Sequence, residues 1–171
     1  MFAVEPDRAV AEMHRVLRPG GRAAVSVWGA KEANPWLGVV FDGVRDSLGI
    51  EVPPPGVPGP LSLGNSARLR ALFEGAGFAD ISLDALAIPL QAPSFEAWWD
   101  HVRDLAGPLA VLLANLPEAA AMKITHHLRG AVARYTDDDG RLELPGEVLL
   151  VTARRPAKLL HYRDGSEVRA G

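Results

Sequence analysis

The 171-residue sequence predicts an α/β fold, and three observations support that class. A helix, a tight turn and an apolar strand follow one another over residues 7–28. A helix, a glycine and a strand recur in that order over residues 65–84. A third, largely apolar strand follows a long helical stretch, at residues 147–154. These segments predict a sheet of about three strands with helices packed against it.

The first unit ends its helix and begins its strand within a few residues. The helix carries apolar residues at the spacing of one helical face. Pro19 cannot continue that helix, and Gly20 suits the tight turn that follows. The run from Ala23 to Trp28 shows no clean polar alternation, so we predict a strand buried on both faces.

The second helix is predicted to follow the loop that leaves this strand. Asn34 is the expected N-cap, and Pro35 occupies the first helical turn. The apolar pattern runs to about Leu48, where Gly49 ends the helix. Residues 51–64 are rich in proline and glycine, which predicts a surface loop.

The second unit repeats the pattern of the first. Asn65 or Ser66 is expected to cap its helix, and Gly77 to stop it. The strand that follows alternates apolar Ile81 and Leu83 with polar residues.

Residues 94–135 are predicted to be a mostly helical insertion. Ser94 caps its first segment, Gly107 and Pro108 interrupt it, and Pro117 begins the last segment. Residues 137–140 (DDDG) are expected to form a turn. From Arg155 the sequence is charged and aperiodic, so we expect one folded unit over residues 1–154 and a mobile tail over residues 155–171.

Composition narrows the class of protein. Hydrophobic residues make up 48% and charged residues 23% of the sequence, as in soluble globular proteins. The net charge of −3 gives no reason to expect a nucleic acid or a membrane as partner. No signal peptide is visible, and the absence of cysteine excludes disulfides and thiolate chemistry. We therefore expect a cytoplasmic protein.

Two stretches resemble class I S-adenosylmethionine-dependent methyltransferases of the type 11 family. They are residues 7–22 (DRAVAEMHRVLRPGGR) and residues 63–81 (LGNSARLRALFEGAGFADI), within a resemblance that covers about residues 1–155. It implies that the first strand is the fifth of a seven-stranded Rossmann-like sheet, and that the last strand is antiparallel between the previous two. It also implies S-adenosylmethionine as cofactor and a small molecule as methyl acceptor.

The cofactor-binding features of that family are missing from this sequence. They are a glycine-rich turn after the first strand of the complete fold and an acidic residue after the second. Neither is found here, so no cofactor-binding residue is identified. We expect the chain to correspond to the carboxyl-terminal half of such an enzyme and to be inactive alone.

An alternative is a non-enzymatic interaction subunit. The strand from Ala23 to Trp28 would have an unpaired edge, which a second copy or a partner chain with the missing half would cover. Loss of the first half through an error in gene prediction is a third explanation.

Five residues are candidates for a substrate pocket. Trp28, Asn34 and Trp36 follow the carboxyl end of the first strand, where open α/β sheets bind ligands. Trp98 and Trp99 lie on the helical insertion, and one of these neighbours must point away from the core. The alternative for all four tryptophans is packing within the fold.

No catalytic residue is predicted. His14, His101 and His126 are candidates for a general base only because they are histidines. The adjacent His126 and His127 lie about 100° apart on a helix, which does not suit a shared metal. The acidic turn at residues 137–140 lacks the spacing of a calcium loop, and no G-x-S-x-G motif supports a hydrolase.

Overall fold

The computed structural model describes residues 2–105 and 108–157. The helices are α1 (Pro6–Val16), α2 (Pro35–Leu48), α3 (Ser66–Gly75), α4 (Phe95–Leu105), α5 (Pro108–Ala114) and α6 (Glu118–Val132). The strands are β1 (Arg22–Trp28), β2 (Ala79–Ala87), β3 (Leu90–Ala92), β4 (Leu142–Leu144) and β5 (Glu147–Arg154). Two short 3₁₀ helices are Lys31–Ala33 and Ala133–Tyr135. The predicted α/β class is confirmed.

The main sheet has three strands in the order β1–β5–β2. The last strand, β5, lies in the centre and pairs antiparallel with both neighbours, as the resemblance implied. Val151 of β5 lies opposite Val25 of β1 and Leu83 of β2, so these three side chains share one face of the sheet. Helices α1 and α3 cover that face.

The prediction that β1 is buried on both faces is wrong. Arg22, Ala24 and Ser26 are exposed, whereas Val27 on the covered face is buried. The run of small and apolar residues in β1 therefore does not indicate burial on both faces, because α1 and α3 cover only one face of the strand. The opposite face of the sheet is open along these residues.

The expected helix ends are largely confirmed. Gly49 and Gly77 adopt the left-handed backbone, with φ of 69° and 84°, just beyond α2 and α3. The Asn65 side chain accepts a hydrogen bond from the Arg68 amide at 2.8 Å. Ser94 accepts one from the Ala97 amide at 3.2 Å, at the start of α4.

Arg155, the first residue of the predicted tail, is hydrogen-bonded to the folded unit. Its backbone amide donates to the carbonyl oxygen of Gly21 at 2.8 Å. Its guanidinium donates to three carbonyl oxygens at the end of α1, those of His14, Arg15 and Leu17. These carbonyls have no partner within the helix, so Arg155 supplies it. Residues 158–171 of the predicted tail, and Gly107 of the predicted break, lie outside the described residues.

A second, two-stranded sheet was not predicted. Strands β3 and β4 have three residues each and pair antiparallel, with Gln91 opposite Glu143. Three residues are too few for an alternation pattern to be recognised in sequence.

The buried side chains form two clusters. The helical cluster comes mainly from α2, α4, α6 and β4, and its members are Trp36, Leu37, Val40, Val44, Phe95, Trp98, Val102, Ile124, Leu128, Val132, Leu142 and Leu144. The sheet cluster lies between the sheet and the helices α1 and α3, and its members are Val10, Val27, Leu63, Leu69, Phe73, Phe78, Leu149, Val151 and Ala153. No helix among the described residues is long and apolar enough to cross a membrane.

Candidate functional site

Three loops meet at the carboxyl edge of the main sheet. They are residues 29–34 after β1, residues 61–65 before α3, and residues 145–146 before β5. Ligands of open α/β sheets bind outside the carboxyl ends of parallel strands. The edge at which β1 and β2 end is therefore the candidate site.

Glycines let these loops approach one another. A Cβ at Gly64 would collide with the backbone carbonyl of Gly29, and a Cβ at Gly146 would collide with the carbonyl oxygen of Ile88. Backbone crosses backbone at both places, so a larger residue would force the loops apart. The geometry of this edge therefore depends on small residues that the sequence marks only as loop glycines.

Asn34 joins the first and third loops. Its side chain has 0% exposure, and its Oδ1 accepts hydrogen bonds from the Glu147 amide at 3.0 Å and from Trp36 Nε1 at 3.2 Å. Its Nδ2 donates to the Ala30 carbonyl oxygen at 3.0 Å. Asn34 is the N-cap residue of α2 and Pro35 its first residue, as predicted, but the Asn34 side chain makes no capping hydrogen bond to the helix. The side-chain amide connects β5 to the loop after β1, and both its oxygen and its nitrogen have hydrogen-bond partners there.

Trp28 and Trp36 lie together next to this amide. Their ring centroids are 4.9 Å apart and their planes are inclined by 58°. Trp36 is buried in the helical cluster, whereas Trp28 is half-buried and packs against that cluster. The structure thus brings together Asn34 and Trp36 by a hydrogen bond, and Trp28 and Trp36 by ring contact.

Trp98 and Trp99 lie on α4 and differ in exposure. Trp98 has 0% exposure within the helical cluster, and its Nε1 has no hydrogen-bond partner among the described residues. Trp99 is half-buried, and the Arg103 guanidinium lies 5.8 Å from its ring centroid. Only Trp99 of this pair offers an aromatic surface to a ligand.

A groove of about 690 Å³ opens at the same edge of the sheet. Residues 30–31, 61–62 and 64–66 form its loop walls, and Leu83, Ala85, Glu147 and Leu149 form its strand wall. None of the five predicted site residues is among those that line it. Lys31 and Glu147 could have been found in the sequence, because each lies within three residues of the end of a predicted strand.

Lys31 at the groove is held by an acidic residue of α2. Its Nζ lies 2.6 Å from Oδ1 of Asp42, and the Arg45 guanidinium lies 2.7 Å from the same oxygen. The hydrogen bond of Arg45 to Asp46, with the nearby charge of Asp42, raises the pKa of the Arg45 guanidinium above its ordinary value. The Lys31 ammonium, held by Asp42, thus lies at the loop wall of the groove, and the carboxylate of Glu147 lies at the strand wall.

The four histidines among the described residues do not line this groove. His14 packs edge-on against Phe78, with ring centroids 4.9 Å apart, and its Nε2 is buried without a partner among the described residues. His127 packs against α2 at Gly43, whereas His101 and His126 are exposed. The described residues also hold no group of three or more His, Asp or Glu side chains that could bind a metal ion.

Comparison with known proteins identifies structural neighbours only. No family model and no curated protein matches the sequence. A proposed methyltransferase from Bacillus halodurans is 17% identical over 90% of this chain and 64% of its own, with a TM-score of 0.51. This chain shares a methyltransferase-like fold.

Two further solved structures are more distant. The YcgJ protein of Bacillus subtilis is 19% identical over 91% of this chain and 61% of its own, with a TM-score of 0.48. Phosphoethanolamine N-methyltransferase 2 of Haemonchus contortus, solved with S-adenosylhomocysteine, is 16% identical over 89% of this chain and 30% of its own, with a TM-score of 0.40. The chain spans less than two thirds of the length of each of these three proteins.

Proposed function

We propose that this chain forms the methyl-acceptor side of a small-molecule S-adenosylmethionine-dependent methyltransferase, and that the 171 residues alone neither bind the cofactor nor turn over. The observation that carries the proposal is the groove at the carboxyl edge of a sheet with a methyltransferase-like fold. Its volume of about 690 Å³ lies within the range of small-molecule sites.

Methyl transfer depends more on the positioning of the acceptor than on catalytic side chains. The sulfonium of the cofactor supplies an activated methyl group, so the protein must hold the acceptor in line and exclude water. Leu83, Ala85 and Leu149 offer an apolar wall for the body of an acceptor. Glu147 offers a carboxylate to orient its polar group, whereas the Lys31 ammonium on the loop wall is paired with Asp42. None of the tryptophans predicted for the pocket lines this groove: Trp28 lies in the row of Val148 and Leu86, on the other face of the sheet from Ala85 and Leu149.

The residues at this edge do not fit the cofactor itself. A dinucleotide-type cradle needs glycines whose open side admits a ligand. At Gly29, Gly64 and Gly146 the space that a Cβ would take is occupied by protein atoms, so these glycines pack against the chain. The sequence holds no glycine-rich turn of the kind expected for this cofactor. These residues are therefore not the ones that would hold the cofactor.

Isothermal titration with S-adenosylmethionine tests the cofactor part of the proposal. We expect no measurable heat of binding, because the glycines of the described residues form no cradle for the cofactor. Micromolar affinity for the 171-residue chain would overturn this part.

Fragment binding tests the groove. A set of small aromatic and amine fragments is screened by ligand-observed NMR against the wild type, and we expect hits that Ala85→Trp abolishes, since Ala85 lines the groove. The matched control is Leu86→Trp, which places the same ring on the neighbouring residue of the same strand, exposed on the opposite face of the sheet from the groove. Equal binding by both variants, or an absence of hits, would contradict an acceptor site here.

A non-enzymatic interaction subunit is the second candidate function. It is favoured by the edge of β1, which has no strand beside it among the described residues.

A further inference from the structure

The carboxylate of Glu147 lies at the groove without a partner from the fold. Glu147 begins β5 and is half-buried. Its backbone amide donates to Asn34 Oδ1 at 3.0 Å, and its carbonyl oxygen accepts from the Gly29 amide at 2.9 Å. Its carboxylate forms no ion pair within residues 2–105 and 108–157. The backbone of Glu147 is thus fixed on both sides, whereas its charged group is available to a ligand.

Gly29 provides the space that this carboxylate occupies. A Cβ at Gly29 would collide with Oε1 of Glu147 and would lie 3.1 Å from its Cδ. The backbone of Gly29 does not have the positive φ that would by itself require glycine. The carboxylate therefore packs directly on the backbone at the end of β1, at a point where any larger residue would displace it.

The other charged and polar groups at the groove are already satisfied. Among the described residues that line it, Lys31 and Glu147 are the charged ones, and Lys31 Nζ lies 2.6 Å from Oδ1 of Asp42. The start of α3 also lies at the groove, and the Asn65 side chain caps it by accepting from the Arg68 amide at 2.8 Å. The charge that remains for a ligand is therefore negative.

The surface beside this carboxylate is apolar. Leu149 is two residues beyond Glu147 in β5, so the two side chains lie on the same face of the sheet. Ala85 of β2 lies opposite Leu149, and Leu83 is the next residue of β2 on that face. These strands are the centre and the far side of the sheet, so the wall does not involve the outer edge of β1. A ligand in the groove would place an apolar body on this wall and a polar group at Glu147.

We propose that the methyl acceptor carries an ammonium group on an apolar body, and that the carboxylate of Glu147 binds this ammonium in the groove. The inference rests on the proposed function, because it names the class of molecule that the acceptor groove takes. A half-buried carboxylate beside apolar side chains has lost part of its hydration, and a bound cation offsets that cost. An ammonium donates hydrogen bonds to such a carboxylate, whereas an anionic group is repelled by it. Glu147 orients the acceptor, and no bond is made or broken at this residue.

Three fragments that share one ring test the sign of the charge. Benzylamine, benzyl alcohol and benzoate carry a positive, a neutral and a negative group on the same phenyl ring. Each is titrated into the 171-residue chain, and ligand-observed NMR gives its Kd. We expect benzylamine to bind about three to ten times more tightly than benzyl alcohol, and benzoate to bind more weakly than either. Ala85→Trp should abolish the binding of benzylamine, which assigns it to the groove.

Removal of the charge tests Glu147 itself. Glu147→Gln keeps the shape of the side chain, so it should raise the Kd of benzylamine to that of benzyl alcohol and leave benzyl alcohol unchanged. Glu143→Gln is the matched control, because it removes the same charge from an exposed residue of β4 that does not line this groove. Glu143→Gln should leave both Kd values unchanged.

Displacement of the carboxylate tests its position with the charge retained. Gly29→Ala introduces the Cβ that would collide with Glu147, while Gly29 itself does not line the groove. We expect weaker binding of benzylamine and unchanged binding of benzyl alcohol. Gly130→Ala is the control, since a Cβ at Gly130 of α6 meets no atom within 4 Å. Circular dichroism melts of all variants establish that a change in binding is not a loss of fold.

The outcomes separate this inference from the proposed function. Equal Kd values for benzylamine and benzyl alcohol, or equal effects of Glu147→Gln and Glu143→Gln, would overturn the ammonium acceptor and leave the groove as a binding site. Tighter binding of benzoate than of benzylamine would overturn it in the same way. If none of the three fragments binds, both the ammonium acceptor and the acceptor groove are overturned.

Discussion

The helical cluster and the sheet cluster bury their residues in different ways. Trp98, at 0% exposure, is enclosed by side chains of several helices and of β4. Leu69 and Val151 of the sheet cluster are buried as deeply, but only on the face that α1 and α3 cover. The opposite face exposes Ala24 and Ser26 of β1, and Leu86 of β2 at 44%. The helical cluster is closed on itself, whereas the sheet has surface left for another molecule.

The largest expected effect is at the centre of the helical cluster. Trp98→Ala should lower the free energy of unfolding by about 3–5 kcal/mol, because it removes a large enclosed side chain and leaves a cavity. Urea denaturation measures this loss. Trp99→Ala is the control, since its neighbouring ring is half-buried and packed at the margin of the same cluster. Equal losses at both positions would break the distinction between enclosed and marginal residues.

The second largest expected effect is a difference between the two faces of the sheet in the free energy of unfolding. Leu69→Ala removes a residue that is 1% exposed between α3 and the sheet, and should cost about 2–5 kcal/mol. Leu86→Ala on the open face should change the free energy of unfolding by no more than about 0.5 kcal/mol. Urea denaturation checks both values. A large loss for Leu86→Ala would mean that the open face is covered within the monomer.

Asn34 lies between the helical cluster and the main sheet. Its replacement should lower the free energy of unfolding by less than Trp98→Ala or Leu69→Ala does. Asn34→Ala leaves the buried Trp36 Nε1 and the Glu147 amide without their acceptor, which predicts a loss of about 1–3 kcal/mol. Near-ultraviolet circular dichroism should also change, because the contact between Trp28 and Trp36 loses its support. Asn115→Ala is the control, since Asn115 bonds only to the Val111 carbonyl at an exposed position. A stable Asn34→Ala protein with an unchanged tryptophan signal would show that the loops meet without this amide.

The smallest effect concerns pH and the surface of the helical cluster. The hydrogen bond from Arg129 lowers the pKa of Glu96 below its ordinary value of 4.5. A carboxyl with a lowered pKa in the folded state stabilises that state above 4.5, and loses the contribution as the pH falls through the lowered value. Arg129→Gln should therefore reduce stability slightly at pH 7, and by less as the pH falls through the lowered pKa of Glu96, measured by the urea midpoint; the loss of the Arg129 contact with the Phe95 ring remains at every pH.

The pair is exposed, so screening keeps its contribution small. Arg103→Gln provides the comparison within one helix, because Arg103 pairs with Asp100 three residues away. A larger effect of Arg129→Gln at low pH than at neutral pH would contradict the sign of this coupling.

Much of the fold could be predicted from local patterns. Gly49 and Gly77 end their helices, and Asn65 and Ser94 cap theirs, because these signals depend only on near neighbours in the chain. The central antiparallel position of β5 came instead from the family resemblance, since an apolar strand does not reveal its neighbours.

The candidate site was predicted less well. Aromatic residues near a strand end suggested a pocket wall, but Trp36 and Trp98 are buried in the helical cluster. The groove is lined instead by loop residues and by Leu83, Ala85 and Leu149; of its lining, only Lys31 and Glu147 carry a signal in the sequence, their place beside a predicted strand. Whether the predicted tryptophans contact a substrate stays a prediction.

The sequence by itself determined the α/β class and most helix ends, because periodicity, glycine and proline act over a few residues. Only the tertiary structure decided which face of β1 is open and what Asn34 does. Asn34 bonds to Glu147, which is 113 residues away, and Arg155 bonds to His14 across 141 residues. Such contacts depend on how the helices and strands pack together, and no local pattern records that.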